Sequence, residues 1–377
     1  MSAPRAFTLR SPAGLSLRVT DAGAAWMSCV VPLDGEAGPG REVLLGYATP
    51  ADYLVQPGYL GAIVGRYANR IAGASFALDG RTFALDANEG PNQLHGGARG
   101  FHRHLWTLIR HDDDVLELGL RSPDGDQGFP GQVDVRVTYR IEAPLTVSVS
   151  LEARTDAPTL VNLSSHAYFS LDGPERGILD QQLRINAPRY LPVRADLIPT
   201  GEQAAVDGTP FDFRRPRRIG EALEALRRLD TQPACHDHCW LLDAPEAPAA
   251  AAGGVSPVAA VLRSGDGRLG LALHSSAPGL QFYAGEFLPQ TPGRDGRPHA
   301  RHAGLALEPQ ALPDSPHHPE WPQPGAVLRP GEVYRHRLTY RFLPTSASEE
   351  APSPPSSMSP STPAAPSTPS PPTAGQA

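Results

Sequence analysis

The sequence predicts an all-β protein built as a large antiparallel sandwich, and three observations predict it. Apolar residues recur at every second position over most of the chain, an Asp-Gly pair joins two short apolar runs, and only one segment carries a clear helical repeat. Taken in order, Asp79-Gly80 links FAL to RTFAL; both central residues of a type I′ turn need positive φ, which makes this pair a strong hairpin signal. Leu116, Leu118 and Leu120 alternate with polar residues. Val133, Val135, Val137, Tyr139 and Ile141 then line one face while Asp134, Arg136, Thr138 and Arg140 line the other, and Leu145, Val147, Val149 and Leu151 repeat the pattern. In RRIGEALEALRRLD, Ile219, Leu223, Leu226 and Leu229 fall on one helical face. The Ala/Pro/Gly stretch from Ala244 to Pro257 reads as a loop insertion, because strand patterns resume after it. There Gly265-Asp266-Gly267 marks a second hairpin turn. Tyr334, His336, Leu338, Tyr340 and Phe342 form the last alternating run.

At 377 residues the chain is long enough for two domains, but that prior is soft for all-β proteins. Residues 1–343 are expected to form one domain. The Pro/Ser/Thr/Ala-rich stretch 344–377 has too little to bury to offset its own ordering entropy and is expected to be disordered. The net charge of -7 is spread without blocks, which argues against nucleic acid or an anionic membrane surface as a partner. Every basic side chain apart from histidine is Arg, a bias that matches the abundance of Ala, Gly and Pro and reads as composition. Three cysteines, Cys29, Cys235 and Cys239, make no disulfide framework. With no apolar stretch near the roughly 20 residues of a membrane span and no signal-like N-terminus, the expected location is the cytoplasm, as a monomer or homodimer. No Gly-rich turn lies between a strand and a helix, so no nucleotide cofactor is expected.

Five polar islands interrupt the strands: GRYANRIAG (65–73) with Asn69 and Arg70, NQLHGG (92–97) with His95, VNLSSHAYFSLDG (161–173) with His166 and Tyr168, HDHCW (236–240) with Asp237, and GLALEPQALPDS (304–315) with Glu308. Gln281, in LQFYAGEF, is a further candidate. Each residue has a structural reading, such as a turn histidine, a surface ion pair or a core aromatic. Glu308 resists it, because it ends an apolar Gly-Leu-Ala-Leu run and a buried Glu needs partners or a task. Ser164-Ser165-His166 lacks a nucleophile elbow. Cys235, His236, His238 and Cys239 crowd too closely in sequence for one tetrahedral zinc, so no metal is expected.

Together the islands resemble the aldose 1-epimerase (galactose mutarotase) family, from about residue 7 to 343. The motifs run in the family's order: Asn-Arg, Leu-His-Gly-Gly, Asn-Leu-x-x-His-x-Tyr-Phe, Asp-His, then Leu-Glu-x-Gln-x-x-Pro-Asp, with GFPGQVDVRVTY (128–139) and LIPTGE (197–202) between them. SSHAYF departs from the commoner Thr-Asn-His-Ser-Tyr-Phe, and Cys239 stands where Asn is common. The resemblance implies a galactose mutarotase-like β-supersandwich and interconversion of the α and β anomers of a free aldohexose such as glucose or galactose. It implies Glu308 as general base and His166 as general acid, with Asn69, Arg70, His95, Asp237 and Gln281 holding the monosaccharide and Tyr168 in the same site. A carboxylate beside Arg and a protonated His is expected to stay ionised. Three rival readings follow from the same residues. One is a phosphosugar epimerase using the FRRPRR segment (213–218) to grip a 6-phosphate. Another is a non-catalytic carbohydrate-binding sandwich. The third is a glycosidase or lyase pairing Glu308 with Asp237.

Overall fold

The computed structural model describes residues 3–33, 40–142, 144–229, 234–243, 256–288, 290–323 and 325–345. The alternating runs become strands, and every ladder between them is antiparallel. A nine-stranded sheet carries, in spatial order, Thr107–His111, Val115–Ser122, Val133–Glu142, Thr146–Thr155, Tyr334–Pro344, Leu269–Ser275, Val258–Arg263, Gln182–Ile185 and Arg217–Arg218. Its register sets Ile141, Val147, Tyr340, Leu273, Ala260 and Ile185 side by side in one row across six strands, all buried. Such a row arises because paired residues share a face and successive residues alternate faces.

A six-stranded sheet packs against this row. Its order is Tyr168–Phe169, Leu305–Gln310, Gly279–Tyr283, Asp237–Leu241, Arg189–Leu191 and Ala204–Ala205. One face presents Phe169, Leu305, Leu307, Phe282, Leu280 and Trp240 to the shared core. A four-stranded N-terminal sheet, Ala6–Arg10, Ser16–Thr20, Trp26–Val31 and Arg41–Glu42, closes one end. Trp26 joins the three sheets: its ring meets Tyr139, Tyr340 and Phe169 edge-on at 6.3, 5.3 and 6.1 Å, and its N–H donates to the Ser28 carbonyl.

The turns follow their chemistry. Asp79 and Gly80 take φ of 49° and 76° between Ser75–Leu78 and Arg81–Ala84. Ser264–Arg268 connects Val258–Arg263 to Leu269–Ser275 as the second hairpin. The helix Ile219–Arg227 buries Ile219, Ala222, Leu223 and Leu226. Leu229, expected on the same face, lies past the last turn and is 50% exposed, so the apolar stripe ends one repeat sooner than its spacing suggests. Residues 244–255, read as a loop, and 346–377, read as a disordered tail, lie outside the described residues; the last strand reaches Pro344. No helix among the described residues is long and apolar enough to cross a membrane.

Candidate active site

The second face of the six-stranded sheet carries the chemistry. Register places Tyr168, Ala306, Tyr283 and Asp237 in one row and Glu308, Gln281 and Cys239 in the next. Glu308 and Gln281 are therefore direct cross-strand neighbours, and Asp237 is reached diagonally from Gln281. The Gln281 amide donates to Asp237 Oδ1 at 2.6 Å. All six residues of Leu305–Gln310 are buried, so the Glu that ends the Gly-Leu-Ala-Leu run is 2% exposed.

Asn69, Arg70 and His95 arrive on a ribbon made by Arg70–Ile71 and Gln93–Leu94. Asn69 and His95 both adopt left-handed backbone, φ 68° and 51°, a region open chiefly to Gly and, among other residues, enriched in Asn, Asp and His. Their backbones are locked together. The His95 N–H donates to the Asn69 carbonyl at 3.1 Å, and the Asn69 N–H donates to His95 Nδ1 at 3.1 Å. The Gly after His95 is required by space as well as by its φ of 79°, since a Cβ there would lie 2.0 Å from the Gly65 carbonyl oxygen. The Pro-Asp of the last motif braces the same ribbon: the Asp314 N–H donates to the Arg70 carbonyl, and Asp314 Oδ1 accepts from the Ala72 N–H.

Arg70 is buried and held by a fork. Its Nε and Nη2 donate to the two Glu89 oxygens at 2.6 and 2.8 Å, while Nη1 lies 3.6 Å from Asp237 Oδ2. Burial alone would weaken its proton affinity. The Asp237 and Glu89 carboxylates outweigh that and keep it cationic.

His166 follows the short strand Ser164–Ser165, and its backbone is pinned by exchange with Ala62 and Gly61. Its ring stacks on Tyr168 at 4.9 Å and on Tyr59 at 5.6 Å, with interplanar angles of 27° and 20°, and meets His95 edge-on at 5.1 Å. His166 Nε2 lies 3.6 Å from Glu308 Oε1. The structure thus brings together all eight residues proposed from sequence, with Tyr168 as a ring against the imidazole.

Protonation departs from expectation. Burial pushes Glu308 well above the usual carboxylate range, with the Asp237 charge adding to it and Arg70 opposing. Burial also pulls His166 down to about 4. Desolvation exceeds the pull of Arg70, which is already committed to Glu89 and Asp237, so the site holds the Glu308 proton more tightly than a carboxylate beside Arg and imidazolium would suggest. His95 is lowered too, by burial first and then by His166 and Arg70.

His95, His166 and Glu308 are the one group among the described residues whose ligand atoms gather closely enough for a metal, within 4.8 Å of one another. The His95 lone pair on Nδ1 is taken by the Asn69 N–H, which leaves Nε2 as an N–H donor. Ligation through Nε2 would move that proton to Nδ1, against another N–H. The cluster is built to handle protons. The Cys/His cluster at 235–239 does not converge: Asp237 and Cys239 face the site, whereas His238 points to the core with Trp240, and His236 stacks on Phe282. The FRRPRR segment lines clefts that share no residue with the site.

Several participants escaped the sequence reading. Tyr59 contacts His95, His102 and His166, and Glu89 holds Arg70. Glu286 accepts from the His236 N–H beside Asp237, and burial raises it to about 7. Tyr59 and Glu89 sit in no patterned motif, and Glu286 lies in the LQFYAGEF string that pointed only to Gln281.

Comparison with known proteins finds relatives along nearly the whole chain. The family model described as aldose 1-epimerase matches residues 5–341. The chain is 43% identical over 340 residues to the aldose 1-epimerase of Escherichia coli K12, covering 90% of this chain and 95% of that one. It is 38% identical over 322 residues to the galactose mutarotase of Homo sapiens, covering 84% and 89%. Among solved structures, it superposes on the GalM/aldose epimerase homologue from C. elegans with a TM-score of 0.82 at 26% identity, over 91% of this chain and all of that one. The galactose 1-epimerase from Lactobacillus acidophilus gives 0.75 at 27%, over 90% and 94%.

Proposed function

This chain belongs to the aldose 1-epimerase family, and from that premise we propose that Glu308 is the general base and His166 the general acid of its anomer interconversion. The chain is an isomerase acting on aldoses. Its substrate is a free aldohexose such as glucose or galactose. Glu308 takes the proton of the C1 hydroxyl while His166 Nε2 gives one to the ring oxygen. The C1–O5 bond breaks, the aldehyde forms, C1–C2 turns, and the two transfers reverse on the other face. Each such transfer is typically worth about 10²–10⁴ in rate.

The observation that carries this reading is the 3.6 Å approach of His166 Nε2 to Glu308 Oε1, both side chains being buried. The pair holds one proton in either of two arrangements, imidazolium with carboxylate or imidazole with carboxylic acid, and both are neutral overall. Ring opening converts the first into the second. No net charge is created in the low-dielectric site, and the protonation that burial favours is the one reached when the ring has opened. Sugar hydroxyls donating to Glu308 Oε2, which has no partner among the described residues, favour the starting arrangement.

Asn69, Arg70, His95, Asp237 and Gln281 hold the rest of the sugar. Gln281 Oε1 and Glu308 Oε2 are buried and unpartnered among the described residues, as acceptors awaiting hydroxyls would be. His95 presents Nε2–H as a donor. Asp237 is already engaged by Gln281 and Arg70, which counts against a second catalytic carboxylate of the glycosidase kind. An acid facing a base counts against a purely binding module. The test is polarimetry of freshly dissolved α-galactose and α-glucose with Glu308→Gln. Turnover is expected to fall by at least about 10² while sugar binding persists; near-normal turnover would overturn the assignment.

A further inference from the structure

The far edge of the nine-stranded sheet, formed by Val258–Arg263, Gln182–Ile185 and Arg217–Arg218, carries a group of arginines. Two clefts meet at Pro216. One, of about 320 Å³, is lined by Gln182, Arg184, Pro216, Val261 and Arg263; the other, of about 680 Å³, is lined by the 208–217 loop with Arg214, Arg215 and Arg217. Register puts Gln182, Arg184, Val261 and Arg263 on the sheet's outer face, because Gln182 pairs with Arg263 and Arg184 with Val261. Val261 continues into Ala272 on the next strand, so the floor beside the two guanidinium groups is low and apolar.

The charges here differ from those over the middle of the same face. There Arg121, Arg335 and Arg337 meet Asp134, Glu152 and Glu142 at 2.7, 3.5 and 2.6 Å, and Arg136 meets Glu117. In the clefts Arg214 is spent on Asp207 and Asp212, and Arg217 gives an N–H to the Pro210 carbonyl. Arg184, Arg215 and Arg263 have no carboxylate partner among the described residues, and the Arg184 Nε is buried without an acceptor. A buried guanidinium N–H without an acceptor costs free energy that a bound anion would recover.

We propose that the Arg184–Arg263 cleft binds a small molecule carrying phosphoryl groups, separately from the sugar site. The planar guanidinium fork matches phosphate oxygens bidentately. Gln182 adds an amide that donates and accepts, and Pro216 with Val261 offers an apolar wall to a ring attached to the phosphate. The chemistry is shared by inorganic polyphosphates and by nucleotides, and the two probes below separate them.

Isothermal titration with inorganic pyrophosphate and with ADP, at physiological ionic strength, tests the proposal on the full chain. Saturable one-to-one binding of at least one probe is expected, weakened by about tenfold or more in Arg184→Gln/Arg263→Gln. Arg154→Gln, on the same sheet outside the cleft, should leave it unchanged, and anomer exchange should be normal in both variants, which shows that they fold. Absence of saturable binding, or equal weakening by Arg154→Gln, would overturn the site.

Discussion

The outer faces of the two large sheets use polar residues in opposite ways. On the nine-stranded sheet, Arg and Glu alternate with core residues, and pairs such as Arg337–Glu142 sit half in water. On the six-stranded sheet, Asp237, Gln281 and Glu308 occupy equivalent outward positions but are covered by Tyr59, the Asn69–Arg70 ribbon and the His166 loop. Strand alternation supplies both faces. Burial alone turns the second into a place where a proton's position matters. Charges in water are screened and cheap to move; the same charges under a lid shift each other's protonation and leave acceptors unfilled.

The contrast is broken most severely at His166. His166→Asn is expected to lower kcat by about 10²–10⁴ with little change in thermal midpoint, measured by polarimetry and calorimetry. A mild effect would move the acid role to His95.

Acid should unfold the protein through its buried imidazoles. His95, His102, His166, His236, His238 and His336 are all pulled below the ordinary value by burial, His166 and His336 to about 4 and His102 and His238 to about 3. In the unfolded chain they take protons near pH 6.5, so the stability they allow at neutral pH is lost as pH falls from 6.5 toward 4. Glu286, raised by burial to about 7, acts in the opposite sense between pH 4.5 and 7; Glu308, also raised by burial, acts in the same direction as Glu286, and the two are fewer. Each net proton contributes about 1.4 kcal/mol per pH unit. The urea midpoint should therefore fall from pH 7 to pH 5, and an equal or higher midpoint at pH 5 would contradict this balance.

Glu89→Gln tests the cover more gently. It removes the charge that forks Arg70, and KM is expected to rise by about tenfold with kcat less affected; a selective loss of kcat would instead place Arg70 at the reacting oxygen. The smallest effect is expected on the open sheet. Arg337→Gln should change stability by less than about 0.5 kcal/mol by urea denaturation and leave turnover intact.

Much of this was legible in the sequence, for identifiable reasons. The sandwich showed itself because period-two burial is a local pattern, and the 79–80 turn because its φ values restrict which residues fit. Glu308 stood out because a carboxylate at the end of an apolar run contradicts its surroundings. The direct adjacency of Gln281 to Glu308 was hidden, since register between strands is set by the whole sheet. Tyr59 and Glu89 were hidden too: an aromatic beside a glycine and a loop carboxylate look like any others until the ribbon folds over them. The protonation of the pair could not be read either, because it depends on depth, and composition carries no depth.

The clamping of His166 between Tyr59 and Tyr168 has a consequence for which partner moves during the exchange. A ring wedged between two others cannot swing to follow the anomeric oxygen from one side of C1 to the other. The proton donor is a fixed post, and the sugar does the turning. Like any catalyst, the enzyme speeds approach to the balance that water sets between the two forms, and one fixed donor serves the exchange in both directions.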